Sequence, residues 1–306
     1  MKRAVAEALV AVCTVLGVVV GASKLAPATA PSRHEATPHE RVQDASGAEV
    51  VRGPKRCIVS ASTVSDRLIV ELVGADALCA VATPERCERP WCAAIRGKAR
   101  VTSLDDLETL ARLKPDLVVT ANPGAPARLL RLREAGLPVF DLGPSTGMRS
   151  LEAATYALGR VLAAEPVAAA YWARFSRRMR TVATPVDARP RALYLAIYGS
   201  TLVGGARDTS WHDVIEAAGL RDAADDRSGW PSWSAVDVAE RNPSFLVTEH
   251  GMGARLCARE GLARTEACAR GQVAEIDADL LGDPGPTMLE AAEALANRVA
   301  ELSARR

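Results

Sequence analysis

The chain predicts an α/β protein built as two lobes, each with a parallel sheet, bridged by a long helix. Three observations carry this prediction. Short apolar runs alternate with amphipathic stretches in two separate regions of the chain, the pattern of strand–helix–strand units. Between those regions, Met148 to Val182 carries helical periodicity and no strand signal. The two regions also share a faint internal echo, ARLKPDLVVTAN (111–122) against AERNPSFLVTEH (239–250). Ala111/Ala239, Pro115/Pro243, Val119/Val247 and Thr120/Thr248 recur at matched places, and Asn122 and His250 fall at equivalent strand ends.

Taken in order, the first region predicts strands at 57–61, 78–82, 117–121 and 138–141. Helices are predicted near 64–74, 104–113 and 126–136, the last closed by Gly136. Ser103 and Asp106 form an S-x-x-D cap for the second of these. Pro166 breaks the long helical stretch at Ala164–Glu165. The second region predicts a strand at 192–198, helices at 210–218 and 235–241, strands at 245–249 and 273–276, and a final helix from about Thr287. Trp211, Val214, Ile215 and Ala218 make an i, i+3, i+4, i+7 stripe, which assigns Trp211 to the core. The lobes are therefore 53–144 and 189–306, with 145–188 as the bridging helix region.

The amino terminus predicts export. Lys2 and Arg3 precede a nearly continuous apolar run, Ala8 to Ala22, and Ala28-Thr29-Ala30 is a small-x-small cleavage pattern, giving a signal peptide over 1–30. An uncleaved membrane anchor is the lesser alternative. Cys13 sits too early and follows Val12, which argues against lipidation there. Residues 31–52, rich in Pro, Ala, Ser, Thr and charge, are expected to be a flexible tether. The expected location is periplasmic or otherwise extracytoplasmic.

Six of the seven cysteines lie beyond that signal: Cys57, Cys79, Cys87, Cys92, Cys257 and Cys268. An even number in an oxidising compartment predicts disulfides. The pairing is open from sequence. The preferred set is Cys87–Cys92 and Cys257–Cys268, each closing a short loop, with Cys57–Cys79 remaining. Zinc competes weakly, since there is no C-x-x-C pair and the histidines lack ligand spacing.

The chain is 306 residues long with a net charge of +1, so no bulk field argues for nucleic acid. No G-x-S-x-G elbow, G-x-G-x-x-G or P-loop occurs, and His212 beside Asp213 falls off the apolar stripe of its helix. Catalysis is not expected. The unusual stretch is SGWPSWS, 228–234. It places Trp230 and Trp233 around a proline in a chain only 4% aromatic.

Several segments together resemble the periplasmic substrate-binding proteins that serve ABC importers of vitamin B12, ferric siderophores and haem. They are RCIVSASTVSDRLIVELVGADALCAVAT, SLDDLETLARLKPDLVVTANPG and LREAGLPVF in the first half, and YGSTLVGGARDTSWHDVIEAAGL and GWPSWSAVDVAERNPSFLV in the second. The resemblance implies capture of a small-molecule metal chelate, cobalamin or a ferric siderophore or haem, in a cleft between the lobes. It implies delivery to an ABC permease dimer of the inner membrane by a monomer with no cofactor of its own, the iron or cobalt belonging to the ligand. In the cobalamin-binding members a tryptophan before proline contacts the ligand, and Trp230 occupies that place. Its competing role is packing the loop onto the lobe. Trp233, next to the Ser234–Asp237 capping box, is expected to staple the helix start instead.

Further cleft candidates are Trp91 on the C-E-R-P-W-C loop, Tyr198 and Arg207 in the second lobe, and the strand-end residues Asn122 and His250. Each has an ordinary surface or packing role as its alternative. The resemblance also implies one docking glutamate per lobe. Glu108 matches the first. Val236 stands where the second belongs, so Asp237 or Glu240 substitutes, or the protein is a sensor or scavenger that no longer serves an importer.

Overall fold

The computed structural model describes residues 40–122, 124, 126–180, 188–281 and 284–305. The predicted signal peptide, the start of the expected tether and Cys13 lie outside these residues. Among the described residues no helix is long and apolar enough to cross a membrane.

Strands β1 (Arg41–Gln43) and β2 (Glu49–Val51) pair as an antiparallel hairpin, which corrects the expected tether over 40–52. Only one residue per strand, Val42 and Val50, is buried, so the alternation was too short to register. The turn supplies the rest of the ordering. The buried Asp44 carboxylate accepts the amides of Ser46, Ala48 and Asp141, and Arg133 closes on it at 2.6 Å.

The first lobe is a parallel sheet of β3 (Ile58–Ser60), β4 (Leu78–Val81), β5 (Ala99–Arg100), β6 (Leu117–Thr120) and β7 (Val139–Asp141), in the order 5-4-3-6-7. Helices α1 (Thr63–Val73), α2 (Leu107–Arg112) and α3 (Pro126–Glu134) belong to it. Helix α2 starts later than predicted: Asp106, not Ser103, caps it by accepting from Thr109 N, while Ser103 accepts from Asp105 N in the preceding turn. Successive strand residues face opposite sides. Ile58, Val119 and Phe140 enter one apolar cluster, and Val59, Val118 and Val139 enter another.

The bridge is two helices, α4 (Met148–Val161) and α5 (Glu165–Met179), broken where Pro166 predicts. They pack closely enough at Gly159 and Ala168 that a side chain on Gly159 would collide.

The second lobe holds a parallel sheet of β8 (Arg191–Tyr194), β11 (Arg221–Asp222), β13 (Phe245–Glu249) and β14 (Val273–Ile276), ordered 11-8-13-14. Its helices are α6 (Ser210–Ala217), α7 (Ala235–Arg241), α8 (Gly253–Cys257), α9 (Glu266–Ala269), α10 (Ala278–Leu281) and α11 (Met288–Ala304). The single strand predicted at 192–198 is two. After β8 the chain leaves the parallel sheet and continues as β9 (Ala196–Tyr198), which forms an antiparallel meander with β10 (Thr201–Val203) and β12 (Ser232–Trp233).

One apolar cluster runs through both lobes, from Ile58 and Phe140 through Leu158 and Trp172 to Trp211, Phe245 and Leu295. Polar ties accompany it. Glu290 of α11 receives both Arg67 of α1 and Arg89 of the first lobe's C-E-R-P-W-C loop. Asp213 of α6 accepts the Met148 amide at 2.6 Å and so caps α4. All three preferred disulfides are present: Cys57–Cys79, Cys87–Cys92 and Cys257–Cys268. They consume every described thiol, and no described group of histidine, cysteine and acidic residues could hold a metal ion.

Candidate ligand-binding cleft

Parallel strands of both lobes end at a shared cavity of about 450 Å³. Asn122 lines it from the first lobe, Ser145 and Thr146 from the segment that leads into the bridge, and Tyr194, Tyr198 and Trp230 from the second lobe. The placement follows from topology, since the carboxyl ends of parallel strands present loops and open backbone groups to one side.

The aromatic wall is built in layers. Tyr194, the last residue of β8, lies flat on Trp211 with centroids 4.2 Å apart and ring planes 6° apart. Trp230 meets Tyr194 edge-on at 6.2 Å and 81° and remains 51% exposed. Burial, then the neighbouring Tyr198 and Glu249, push the Tyr194 hydroxyl above the ordinary tyrosine range, so it stays protonated.

The loop carrying Trp230 is held on both edges. Gly204 N donates to Pro231 O, Ala206 N to Gly229 O, and Gly229 N to Arg207 O. Gly205 sits beneath the indole, and a Cβ there would collide not with Trp230 but with Thr209 Oγ1 at 2.7 Å and Trp211 Cβ at 3.0 Å. Behind the loop, Trp233 is buried between two guanidinium groups, Arg227 at 4.3 Å and Arg241 at 4.9 Å from its ring. Trp233 therefore does more than staple a helix. It pairs with Leu202 across the meander and shares a core cluster with Val238 and Leu246.

The structure brings Trp230, Tyr198 and Asn122 to one cavity and separates the other candidates from it. Asn122 adopts the left-handed conformation (φ 51°) and accepts the Ser145 amide at 2.8 Å, leaving its NH₂ for the cleft. Arg207 lines a neighbouring cavity of about 950 Å³ with Asp208 and Asp213, and its main chain braces the Trp230 loop. His250 is exposed beside Glu275, with Nδ1 3.8 Å from the carboxylate. Trp91 packs partly buried against the core that runs through both lobes with Arg67 over its ring at 5.7 Å, so its indole is a platform for a lobe-bridging arginine. The disulfide loop was visible in the sequence; the arginine that claims its indole comes from another helix.

Tyr194, Thr248 and Glu249 also line the cavity and were missed. Alternation along ALYLAIY offered a signal, since Leu193 and Leu195 point to one cluster and Tyr194 to the opposite side.

Glu108 is exposed in the first turn of α2. Asp237 completes the predicted capping box with Ser234. The Ser234 hydroxyl and amide, then Arg227, hold its carboxyl well below the usual carboxylate range. Val236, beside it, is 65% exposed.

His212, off the apolar stripe of α6, is nonetheless partly buried. Its Nδ1 lies 2.9 Å from the fully buried Asp222, and this hydrogen bond raises the imidazole pKa, opposed by partial burial. A histidine whose folded pKa is raised contributes stability fully below its unfolded value of about 6.5 and loses it as pH rises through the folded value. The stability difference between wild type and His212→Gln should therefore be largest near pH 5.5 and shrink toward pH 8.5. Thermal melts across that range check it, and a pH-independent difference would rule the titration out.

A two-lobed fold with an aromatic cavity at facing strand ends defines a ligand-binding protein. The chain belongs to the periplasmic binding protein family, whose model matches residues 65–280. A relative in Halobacterium salinarum named cobalamin-binding protein is 29% identical over 209 residues, covering 64% of this chain. The chain spans only 56% of that relative's length. Among solved structures, a possible iron-binding protein of Staphylococcus epidermidis superposes with a TM-score of 0.69 at 18% identity, covering 80% of this chain and 98% of that one. A periplasmic heme-binding protein of Pseudomonas aeruginosa gives 0.63 at 25% identity, covering 79% and 91%.

Proposed function

We propose that the protein captures a corrinoid in the interlobe cleft outside the cytoplasmic membrane and delivers it to an ABC permease, without catalysing a reaction. The observation that carries this reading is the aromatic wall of Trp230, Tyr194 and Tyr198 in one cavity with the neutral polar groups of Asn122, Ser145 and Thr146. Flat apolar rings match the face of a macrocycle, and hydroxyls and an amide match a polar rim. The cobalamin-binding relative supports the choice of corrinoid. Export follows from the Lys2–Ala30 segment, and the protein acts as a monomer with no resident cofactor. Permease docking uses Glu108 on one lobe and Asp237 or Glu240 on the other.

The absorbance spectrum of protein purified from its host, followed by calorimetric titration with cyanocobalamin, tests the reading. Trp230→Ala should weaken binding by roughly 1–3 kcal/mol, the scale of aromatic stacking on a planar base, with an unchanged melt. Normal binding with an early melt would make Trp230 a packing residue.

A non-transport sensor on the same fold is the second reading. It is favoured by the Asp237 carboxylate, engaged by Ser234 and Arg227, next to an exposed valine. Failure to stimulate the cognate permease while binding ligand would select it.

A further inference from the structure

The cavity carries one sign of charge. Among its described lining residues Glu249 is the only acidic side chain, and no Lys, Arg or His joins it. The two basic residues that the sequence offered for the cleft are turned elsewhere: Arg207 serves the neighbouring cavity and His250 sits beside Glu275. Glu249 ends β13 exposed, and among the described residues its carboxylate has no ion-pair partner.

The residue before it is equally unusual. Thr248 is fully buried, lines the cavity, and its hydroxyl has no hydrogen-bond partner. The internal repeat explains why. Its counterpart Thr120 pairs in register with Asp141 and donates to that carboxylate at 3.2 Å. Thr248 pairs in register with Glu275, but Glu275 turns to accept the Gly253 amide at 2.7 Å. One lobe satisfies this hydroxyl internally; the other leaves it buried without a partner in a residue that lines the cleft. A buried hydroxyl without a partner is costly, and a ligand group reaching it recovers that cost.

We propose that Glu249 is the specificity-determining residue of the cleft, selecting uncharged or cationic chelates with N–H donors on their rim and excluding polyanionic ones. Glu249 accepts from the rim donors and Thr248 exchanges a further hydrogen bond beside it. A carboxylate or catecholate rim would bring like charges together and so bind less well. The inference rests on the cleft reading above, and the corrinoid assignment enters it only through the choice of probes.

The test compares two matched pairs on the full mature chain and on Glu249→Gln. Cobinamide and cobyrinic acid share a corrin and differ in an amide or carboxylate rim. Ferrioxamine B and ferric enterobactin are a cationic hydroxamate and an anionic catecholate. Wild type should prefer the first member of at least one pair by about tenfold or more at low salt. Glu249→Gln should shrink that ratio, chiefly by tighter binding of the anionic member, and added salt should shrink it in wild type. Equal affinities, preference for the anion, or a ratio unchanged in Glu249→Gln overturns the proposal. Selection within the iron pair alone keeps the charge rule and overturns the corrinoid assignment. Binding of none of the four overturns both. Because Glu249 is exposed, superimposable melts confirm that the variant is folded.

Discussion

Trp233→Ala is expected to destabilise the second lobe by about 3–5 kcal/mol, the cost of emptying a buried tryptophan site. The ring is only 4% exposed and joins three layers. It pairs with Leu202 of β10, it lies between Arg227 and Arg241, and Gly204 gives it room from below. Each flanking guanidinium is also held by a carboxylate, Arg227 by Asp237 and Arg241 by Asp226. Truncation leaves a void walled by two charges that cannot move together to fill it. Trp233→Phe should cost less, since it keeps a flat face and removes an indole N–H that has no partner. Urea unfolding of both variants measures the difference. A wild-type midpoint for Trp233→Ala would show that the arginine pair, not the ring, holds the meander. Because Trp230 lies on the same loop, Trp233→Ala should also weaken ligand binding indirectly.

What the sequence revealed depended on how locally each feature is determined. Strand β13 was read residue for residue, because an apolar run between Pro243 and Gly251 has one reading as a buried strand. The Ser234–Asp237 box was legible for the same reason, as its partners are three residues apart. The β9–β10–β12 meander was not, because its β10–β12 pairing joins segments about thirty residues apart and Trp233 looked like the neighbour of a cap. Within the site, Trp230 stood out by composition. Tyr194 and Glu249 did not, since a strand-end tyrosine and a strand-end glutamate are ordinary until a second lobe faces them. Trp91 misled in the opposite direction: its rigid loop was recognised, but the guanidinium above it belongs to α1.

Removing Cys57–Cys79 as a pair, by Cys57→Ser with Cys79→Ser, should cost about 3 kcal/mol and more than removing Cys87–Cys92. The bridge spans 22 residues of sequence against 5, and a longer closed loop restricts the unfolded chain more. Its position in the native sheet adds to this. In the β3–β4 pairing, Ile58 faces Leu78 and Val59 faces Ala80, so Cys79 is an extra residue in the ladder. The bridge holds that irregularity at the start of β3, whose other end leads into the Ser62 cap of α1, the helix that carries both the Arg67 tie to Glu290 and the buried Asp66. Loss of the bridge therefore loosens the β3–β4 ladder where the two strands begin. Thermal melts of the two double variants, with mass spectrometry confirming that the remaining bridges are intact, measure the ranking. Equal losses would mean that native packing, rather than restriction of the unfolded chain, sets the contribution of each bridge.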